Sequence, residues 1–257
     1  MLNFKTNRSK REHDAYEKGL QRDLWKHFKL AGLLEKKNRN KIIKNLINEE
    51  NLKNFKILEI GCKEWVELIH ENFKTNPAAL DCINISPSEI SLAKKKANKL
   101  DLRYLPNWIL MDAHELDYED ESLDLIIGIG ILHHLSLTEV YSEINRVLKP
   151  GGIAFWSEPL DINPLLTLAR VLTPKSRTDD EEPFKIKHLN LTKKYFPKTN
   201  FVYEQFFTFF FSPFLGLMPK RIAYSIMIIL YKIDCFLLKI FPIFGYLYRT
   251  VFIIMRK

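Results

Sequence analysis

Cysteine is scarce in this chain of 257 residues, and its three copies, Cys62, Cys82 and Cys235, are far apart. No C-x-x-C pair and no cysteine–histidine cluster occurs, which argues against a structural zinc site or a disulfide framework. Unpaired thiols are typical of proteins in a reducing compartment. The sequence therefore predicts a cytoplasmic location and no metal site.

Long uncharged hydrophobic runs are also absent. In the most apolar stretch, residues 221–244, the longest uncharged run is 222–231, whereas a membrane-spanning helix needs roughly 20 apolar residues. The opening stretch MLNFKTNRSKREHD has no apolar run after its charges, which is unlike a signal peptide. We therefore expect neither a spanning helix nor a secretory leader.

Glycine is missing where a nucleotide-binding turn would normally have it. The stretch KILEIGCKEW, 56–65, is an apolar strand followed by Glu59 and Gly61, and such turns usually carry further glycines two and four residues later. Here those positions hold Lys63 and Trp65. A nicotinamide-binding G-x-G-x-x-G turn would need glycines at 61, 63 and 66, so that class of dehydrogenase is disfavoured.

Positive charge is concentrated near the end of the chain. The formal net charge is +8, and residues 201–257 hold seven Lys/Arg against two acids, together with eleven of the eighteen Phe. A basic and apolar segment is typical of contact with a membrane surface or a lipid-like partner. A nucleic-acid partner is not expected, because it would favour basic residues spread over a polar face.

Short apolar runs alternate with helical patterns through most of the chain. The runs 55–60, 79–85, 108–111, 123–129, 153–158 and 201–211 predict strands, and YLYRTVFIIMRK predicts the last one. Strands that alternate with helices indicate a covered, mainly parallel sheet. In this pattern Ser86 is the expected N-cap of a helix that begins at Pro87.

The chain divides into four expected parts. Residues 1–52 form an N-terminal helical cap, and 53–211 form the core, with a substrate-side loop at 158–200. Residues 212–244 form an apolar helical insertion, and 245–257 the last strand. In the insertion, Arg221, Lys232 and Lys239 fall in one narrow stripe at about 100° per residue, with Asp234 opposite. Such a helix lies in a membrane interface, packs into a core or forms a homodimer.

A long ordered motif set follows the opening turn: DAH-x-L, D-x-S-x-D-L, LHHL and E-I-x-R-V-L-K-P-G-G. On these motifs the stretch 55–158 resembles the class I S-adenosylmethionine-dependent methyltransferases, in particular the small-molecule branch similar to ubiquinone and menaquinone methyltransferases. The resemblance implies an α/β, Rossmann-like, doubly wound seven-stranded sheet that is mostly parallel with an antiparallel last strand. It also implies S-adenosyl-L-methionine as the cofactor.

The resemblance assigns cofactor contacts by position. Residues 59 and 61 would lie under the methionine part, position 84 would hold the ribose hydroxyls, and position 112 would accept from the adenine amino group. Lys63 departs from the glycine of the family pattern, and its charge would instead pair with the carboxylate of the cofactor. The implied cofactor-binding residues are Glu59, Gly61, Lys63, Asn84, Ile85, Asp112, Ala113, Gly128 and Leu132.

Two positions depart from the family pattern. Asn84 replaces an acidic residue and offers one acceptor oxygen where a carboxylate offers two. The glycine-poor turn is the other departure. The strings NIS and GILHHL, with EPLDINPLLTLARVLTPKSRTDDEEPF at 158–184, are similar to a subgroup of these methyltransferases. That likeness favours a modified but competent cofactor site.

The candidate catalytic residues are His133 and His134, which follow the fourth strand within expected reach of the transferred methyl. A base assists when the methyl acceptor is a hydroxyl or phenol. Alternatively, these residues shape the cofactor wall and cap a helix. The candidate substrate contacts are Glu158, with Asp161 beside it, and Arg177 and Asp180. The alternative for the acidic run 177–182 is a solvated loop.

The sequence thus favours a methyltransferase acting on an apolar or lipid-linked small molecule, associated with a membrane surface through 212–244. The alternative is a catalytically silent binding module that keeps the fold. Lys63, Trp65 and Asn84 are the residues that motivate this alternative.

Overall fold

The computed structural model describes residues 4–18, 28–62, 73–100, 102, 104–161, 163, 166–167 and 182–257. Lys63, Trp65, Arg177 and Asp180, which carry sequence predictions, lie outside these residues.

A seven-stranded sheet forms the centre of the protein, in the order β3-β2-β1-β4-β5-β7-β6. Strands β1 to β5 pair in parallel, and β7 is antiparallel to both β5 and β6. The fold class predicted from the sequence is therefore confirmed. The strand bounds are β1 Lys56–Ile60, β2 Ala79–Asn84, β3 Asn107–Leu110, β4 Leu123–Ile129, β5 Leu148–Pro159, β6 Lys198–Glu204 and β7 Thr250–Arg256.

Helices cover both faces of this sheet and its carboxyl edge. In the described residues they are α1 Asn7–Lys18, α2 Lys29–Leu46, α3 Glu49–Leu52, α4 Pro87–Ala97, α5 Leu137–Val147, α6 Ile186–Tyr195, α7 Phe207–Leu215 and α8 Lys220–Ile240. Short 3-10 turns occur at Leu132–His134 and Pro242–Leu247. No helix in the described ranges has the length and hydropathy that crossing a membrane requires.

The hydrophobic core lies in two layers, one on each face of the sheet. Alternate residues of a strand enter opposite layers: Leu58 packs with Trp156 and α5, whereas Ile57 packs with Phe155 and α2. All of these side chains are buried. Burial on both faces explains why the parallel strands read as continuous apolar runs in the sequence.

Local capping at α4 agrees with the sequence. The hydroxyl of Ser86 accepts a hydrogen bond from the backbone N–H of Glu89 at 3.1 Å, and Pro87 occupies the first helical position. This arrangement satisfies one of the donors that a helix start leaves without a partner. The helix α4 consequently begins at the edge of the sheet where β2 ends.

The C-terminal part differs from the sequence prediction at one point. The run 201–211 was expected to be a strand, but β6 ends at Glu204 and α7 begins at Phe207. The physical reason is a distant cap: the carboxylate of Asp234, in α8, accepts from the backbone N–H groups of Phe206, Phe207 and Thr208. This buried carboxylate fixes α7 against α8 and overrides the strand propensity of the phenylalanines.

The close contact of Gly128 with Trp156 generates a prediction about stability. A Cβ atom on Gly128 would lie 2.3 Å from Cζ3 of Trp156, whereas one on Gly32, in α2, would meet nothing within 4 Å. We expect Gly128→Ala to lower the free energy of unfolding by about 1–3 kcal/mol through overpacking. The matched change Gly32→Ala should raise it by up to about 1 kcal/mol, because alanine favours a helix interior. Urea denaturation of both variants measures the difference, and equal effects would contradict this explanation.

Candidate functional site

A cavity opens at the carboxyl ends of β1, β2 and β4, and α1 covers it. The space between its walls is about 550 Å³ when the part open to solvent is included, and water-sized molecules reach about 30 Å³ of it. Its walls are apolar where the strands end and polar where α1 and the loops approach. The apolar residues are Ile60, Ile83, Ile85, Met111 and Ile131, and the main polar ones are Ser9, Glu12, Tyr16, Asn84, Asp112 and His134. Crevices outside the carboxyl ends of strands are the usual ligand sites of open α/β sheets.

The opening turn enters this cavity through Gly61, whose φ of +110° lies in the region that glycine adopts at low cost. Its N–H donates to the carbonyl of Ile83 at 2.8 Å. Its carbonyl accepts from Nδ2 of Asn84 at 2.9 Å. The turn is therefore tied to the end of β2, and Gly61 keeps its backbone exposed to the cavity.

Asn84 lines the cavity, but its side chain also serves the backbone. While Nδ2 donates to Gly61, Oδ1 accepts from the N–H of Ser86 at 2.9 Å. The amide thus joins the ends of β1 and β2 to the start of α4. A carboxylate could not replace it directly, because a carboxylate has no donor for the carbonyl of Gly61.

Asp112 and His114 form a buried pair on the third side of the cavity. Nδ1 of His114 lies 2.6 Å from Oδ1 of Asp112, and Nε2 accepts from the N–H of Ser136 at 2.9 Å. Because Nε2 is the acceptor, the proton lies on Nδ1 and is donated to the carboxylate. Burial alone would raise the pKa of Asp112, but the bonds from the His114 side chain and backbone outweigh it and lower the pKa to about 2. Asp112 is therefore negatively charged at neutral pH.

Helix α1 is attached to the cavity by polar side chains. Ser9 Oγ lies 3.0 Å from Nδ1 of His114, and Glu12 Oε2 lies 3.1 Å from Nδ1 of His134. At the end of the helix, Glu17 accepts from the hydroxyl of Ser86 at 2.6 Å. These contacts close the cavity on the side that faces away from the sheet.

Glu158, at the end of β5, holds the turn Leu132–His134 in place. Its Oε1 accepts from the N–H groups of Ile131 and Leu132 at 3.0 and 2.9 Å, and its Oε2 lies 2.7 Å from Nδ1 of His133. The side chain is fully buried. Glu158 thus orients the ring of His133, in the way that a carboxylate fixes a catalytic imidazole.

The turn held by Glu158 separates the first cavity from a second, more open one. His134 lines the first cavity together with Tyr16, whose hydroxyl lies 3.2 Å from Nε2 of His134. His133 lines the second, with Arg8, Thr138, Glu182, Lys187 and His188 among its other walls. The two histidine rings are 4.1 Å apart between centroids. The pair therefore lies at the boundary between the two cavities.

The structure brings together five of the residues that the sequence assigned to the cofactor: Gly61, Asn84, Ile85, Asp112 and Ala113 line the first cavity. Three others have different positions. Glu59 is buried and accepts from the thiol of Cys82, Gly128 makes room for Trp156, and Leu132 lines the second cavity.

The substrate-contact prediction for Glu158 meets a physical objection, since the carboxylate is buried and bonded to the turn beside it. The predicted substrate contact of Glu158 stays a prediction. Lys63, Arg177 and Asp180 lie outside the described residues, so their predicted roles stay predictions.

Sequence reasoning missed the contribution of α1. Arg8, Ser9, Glu12 and Tyr16 recur at helical spacing, but a search for apolar periodicity passes over a helix whose buried side chains are polar. The spacing of these polar side chains on one helical face was the signal in the sequence that could have predicted their contribution. Burial of Ser9 and Glu12 becomes understandable only with His114 and His134 opposite them.

Comparisons with known proteins agree with this geometry. Residues 58–156 match the family described as "Methyltransferase domain". A stretch of 114 residues is 32% identical to a sterol 24-C-methyltransferase of Candida albicans, covering 42% of this chain and 29% of that protein. Another of 103 residues is 32% identical to the ubiquinone/menaquinone biosynthesis C-methyltransferase of Bartonella quintana, covering 39% of this chain and 40% of that protein.

Among solved structures, a SAM-dependent methyltransferase from Archaeoglobus fulgidus superposes with a TM-score of 0.53 at 17% identity, over 88% of this chain and 98% of that one. At that identity the likeness concerns the fold. The fold is thus the one found in S-adenosylmethionine-dependent methyltransferases of known structure. Within it, the chain carries a domain of the methyltransferase family at 58–156. The chain spans less than half the length of the curated relatives named above.

The double role of Asn84 generates a prediction. Asn84→Asp removes the donor to the carbonyl of Gly61 and places a carboxylate oxygen next to that carbonyl oxygen. This should lower the free energy of unfolding by about 1–3 kcal/mol. Affinity for S-adenosylmethionine should fall with it. Denaturant unfolding and calorimetric titration measure both effects, with the exposed change Asn54→Asp as the charge-matched control. A clear gain in affinity would instead indicate a decayed ribose site.

Proposed function

We propose that this protein is an S-adenosylmethionine-dependent methyltransferase that acts on an apolar or lipid-linked small molecule. The observation that carries the proposal is the cavity formed by Gly61, Asn84 and Asp112 at the strand ends of a methyltransferase domain. When bound, the cofactor supplies an electrophilic methyl group on a sulfonium. The protein's own residues would bind the cofactor and the acceptor, align them and remove the proton of the acceptor.

The cavity fits the cofactor in chemistry. Apolar walls at Ile83, Ile85 and Met111 suit an adenine ring, and the charged carboxylate of Asp112 is an acceptor for its amino group. Asn84 is a second polar group, with one further lone pair on Oδ1 for a ribose hydroxyl. Gly61 lets the chain of the cofactor approach the backbone closely.

The second cavity is the proposed acceptor site, and His133 is the proposed base. Because Nδ1 of His133 is committed to Glu158, proton transfer from an acceptor hydroxyl would use Nε2. The methyl transfer itself needs direct, in-line contact between the acceptor oxygen and the methyl group, so in this proposal the acceptor reaches past Leu135, which lines both cavities. Arg8 and Lys187 give the mouth of this cavity positive charge, partly balanced by Glu182.

An apolar or lipid-linked acceptor is supported by the relatives, whose names refer to a sterol and to quinones, and by the apolar C-terminal insertion. We further propose a cytoplasmic setting, because all three cysteines are free thiols. In this proposal the protein meets its acceptor at the membrane surface.

A catalytically silent binding module is the second candidate. The observation that favours it is the commitment of Asn84 to backbone groups, together with the absence of the usual carboxylate at this position. Such a module would keep the fold and lack affinity for the cofactor. Cofactor titration separates the two candidates.

Calorimetric titration with S-adenosylmethionine and S-adenosylhomocysteine tests the cofactor assignment. We expect micromolar binding of both, and a loss of roughly tenfold or more in Asp112→Asn, because a hydrogen bond to a charged acceptor is worth about 1.5–3 kcal/mol. The matched control is Asp81→Asn, since Asp81 lies in β2 and bonds to Tyr118 instead of lining the cavity. No heat with either compound would favour the silent module.

The Glu158–His133 pair yields a separate kinetic prediction. In Glu158→Gln the amide would donate to Nδ1 of His133 and move the ring proton to Nε2, leaving no base toward the acceptor. We expect methyl incorporation from labelled cofactor into a lipid extract to fall about 10²–10⁴-fold in Glu158→Gln and His133→Asn. The exposed change Glu119→Gln is the control.

Cofactor affinity should remain within about threefold in both variants, since neither side chain lines the first cavity. The pH profile of kcat distinguishes positioning from mere structural support: its rise with pH should disappear in Glu158→Gln. Full activity of His133→Asn would assign that histidine to the wall of the cavity only.

A further inference from the structure

The C-terminal insertion exposes an unusually large apolar surface. Of the twenty large hydrophobic side chains that are exposed in the described residues, fourteen lie between Phe210 and Phe244. They come from α7, α8, the 3-10 turn Pro242–Leu247 and the short links between these elements; we call this surface the docking face. Contiguous exposed apolar patches on soluble proteins mark interaction sites, because isolated apolar side chains are common but clusters are not.

Helix α8 arranges this surface in two parallel rows. At about 100° per residue, the exposed apolar side chains fall on one line along the helix and the basic ones on a line roughly 90° away. The apolar row is Ile222, Ile229, Ile233, Phe236 and Ile240, and the basic row is Arg221, Lys232 and Lys239. Helices that lie in a bilayer interface have this pattern, with apolar groups among acyl chains and long basic groups at the headgroups.

The charge of the docking face has one sign only. Lys220, Arg221, Lys232 and Lys239 are all exposed, whereas the single acid of α8, Asp234, is buried and capped onto α7. A second copy of the chain would bring the same cations together across a twofold axis and offers no exposed acid of the face to meet them. An anionic lipid surface complements this charge.

The insertion lies at the same edge of the sheet as the first cavity. It leaves β6 at Glu204 and returns into β7 at Thr250, and Thr250 pairs with Pro159 at the carboxyl end of β5. That is the edge at which the first cavity opens. The cap at Asp234, together with the bond from Tyr231 to Glu204, fixes α8 to this edge.

We propose that the docking face binds an anionic bilayer surface and thereby holds the catalytic edge of the protein against the membrane that carries its acceptor. The binding itself is independent of catalysis; only the delivery of a lipid-linked acceptor rests on the proposed function. The apolar row enters the acyl region, and the basic row pairs with anionic headgroups.

Co-sedimentation of the full chain with vesicles tests this. We expect binding to phosphatidylcholine vesicles that contain about one third phosphatidylglycerol, weakened by raised salt, and at least roughly tenfold weaker binding to phosphatidylcholine alone. The double change Lys232→Glu with Lys239→Glu should lower binding roughly tenfold or more. Ile229→Ser with Phe236→Ser should lower binding to a similar degree; these side chains are 57% and 62% exposed, so folding should be unaffected.

Matched controls lie on α4. Lys94→Glu with Lys95→Glu makes the same charge change on another exposed surface, and Leu92→Ser removes an apolar side chain that is 57% exposed. Both should leave vesicle binding unchanged. Calorimetric titration of S-adenosylmethionine on the same samples separates the two proposals, because loss of vesicle binding should leave cofactor affinity intact.

Two outcomes would overturn the membrane assignment. One is the absence of binding to every vesicle, or equal binding of the wild type and the Lys232→Glu, Lys239→Glu variant. The other is a stable dimer in light scattering that Phe236→Ser dissociates, which would assign the docking face to a second copy of the chain.

Discussion

The geometry of the candidate site depends on the buried carboxylate of Glu158. It lies at the end of β5 and binds two backbone N–H groups and the ring of His133. A buried carboxylate is costly unless such bonds compensate it, so removing the turn or the carboxylate would leave the other without its partner. Because the turn forms the wall between the two cavities, this interaction determines which histidine faces which space.

A second set of buried polar contacts joins α1 to the same region. Glu12 and Ser9 face His134 and His114, and Glu17 reaches the start of α4. The buried side chains of α1 are polar, so the hydrophobic effect contributes little to its attachment.

The same sheet edge carries the C-terminal insertion. Asp234 illustrates how one buried acid organises a segment: it begins α7, joins it to α8 and leaves the outer surface of α8 without an exposed acid. The apolar residues that a soluble protein would bury are thus directed outward next to a row of cations. The candidate site and the docking face lie at the same edge of the sheet, because the insertion begins where β6 ends and finishes where β7 begins.

The sequence by itself determined the sheet, the capping of α4 by Ser86 and the meeting of Gly61, Asn84 and Asp112 at one end of the strands. Those features follow from local propensity, hydrophobic period and motif spacing, which act over a few residues. Tertiary structure alone decided that Phe207–Leu215 is a helix, that Glu158 is buried against His133 and that a polar face of α1 closes the cavity. Each of these depends on a hydrogen-bond partner distant in the chain, and no local pattern specifies such a partner.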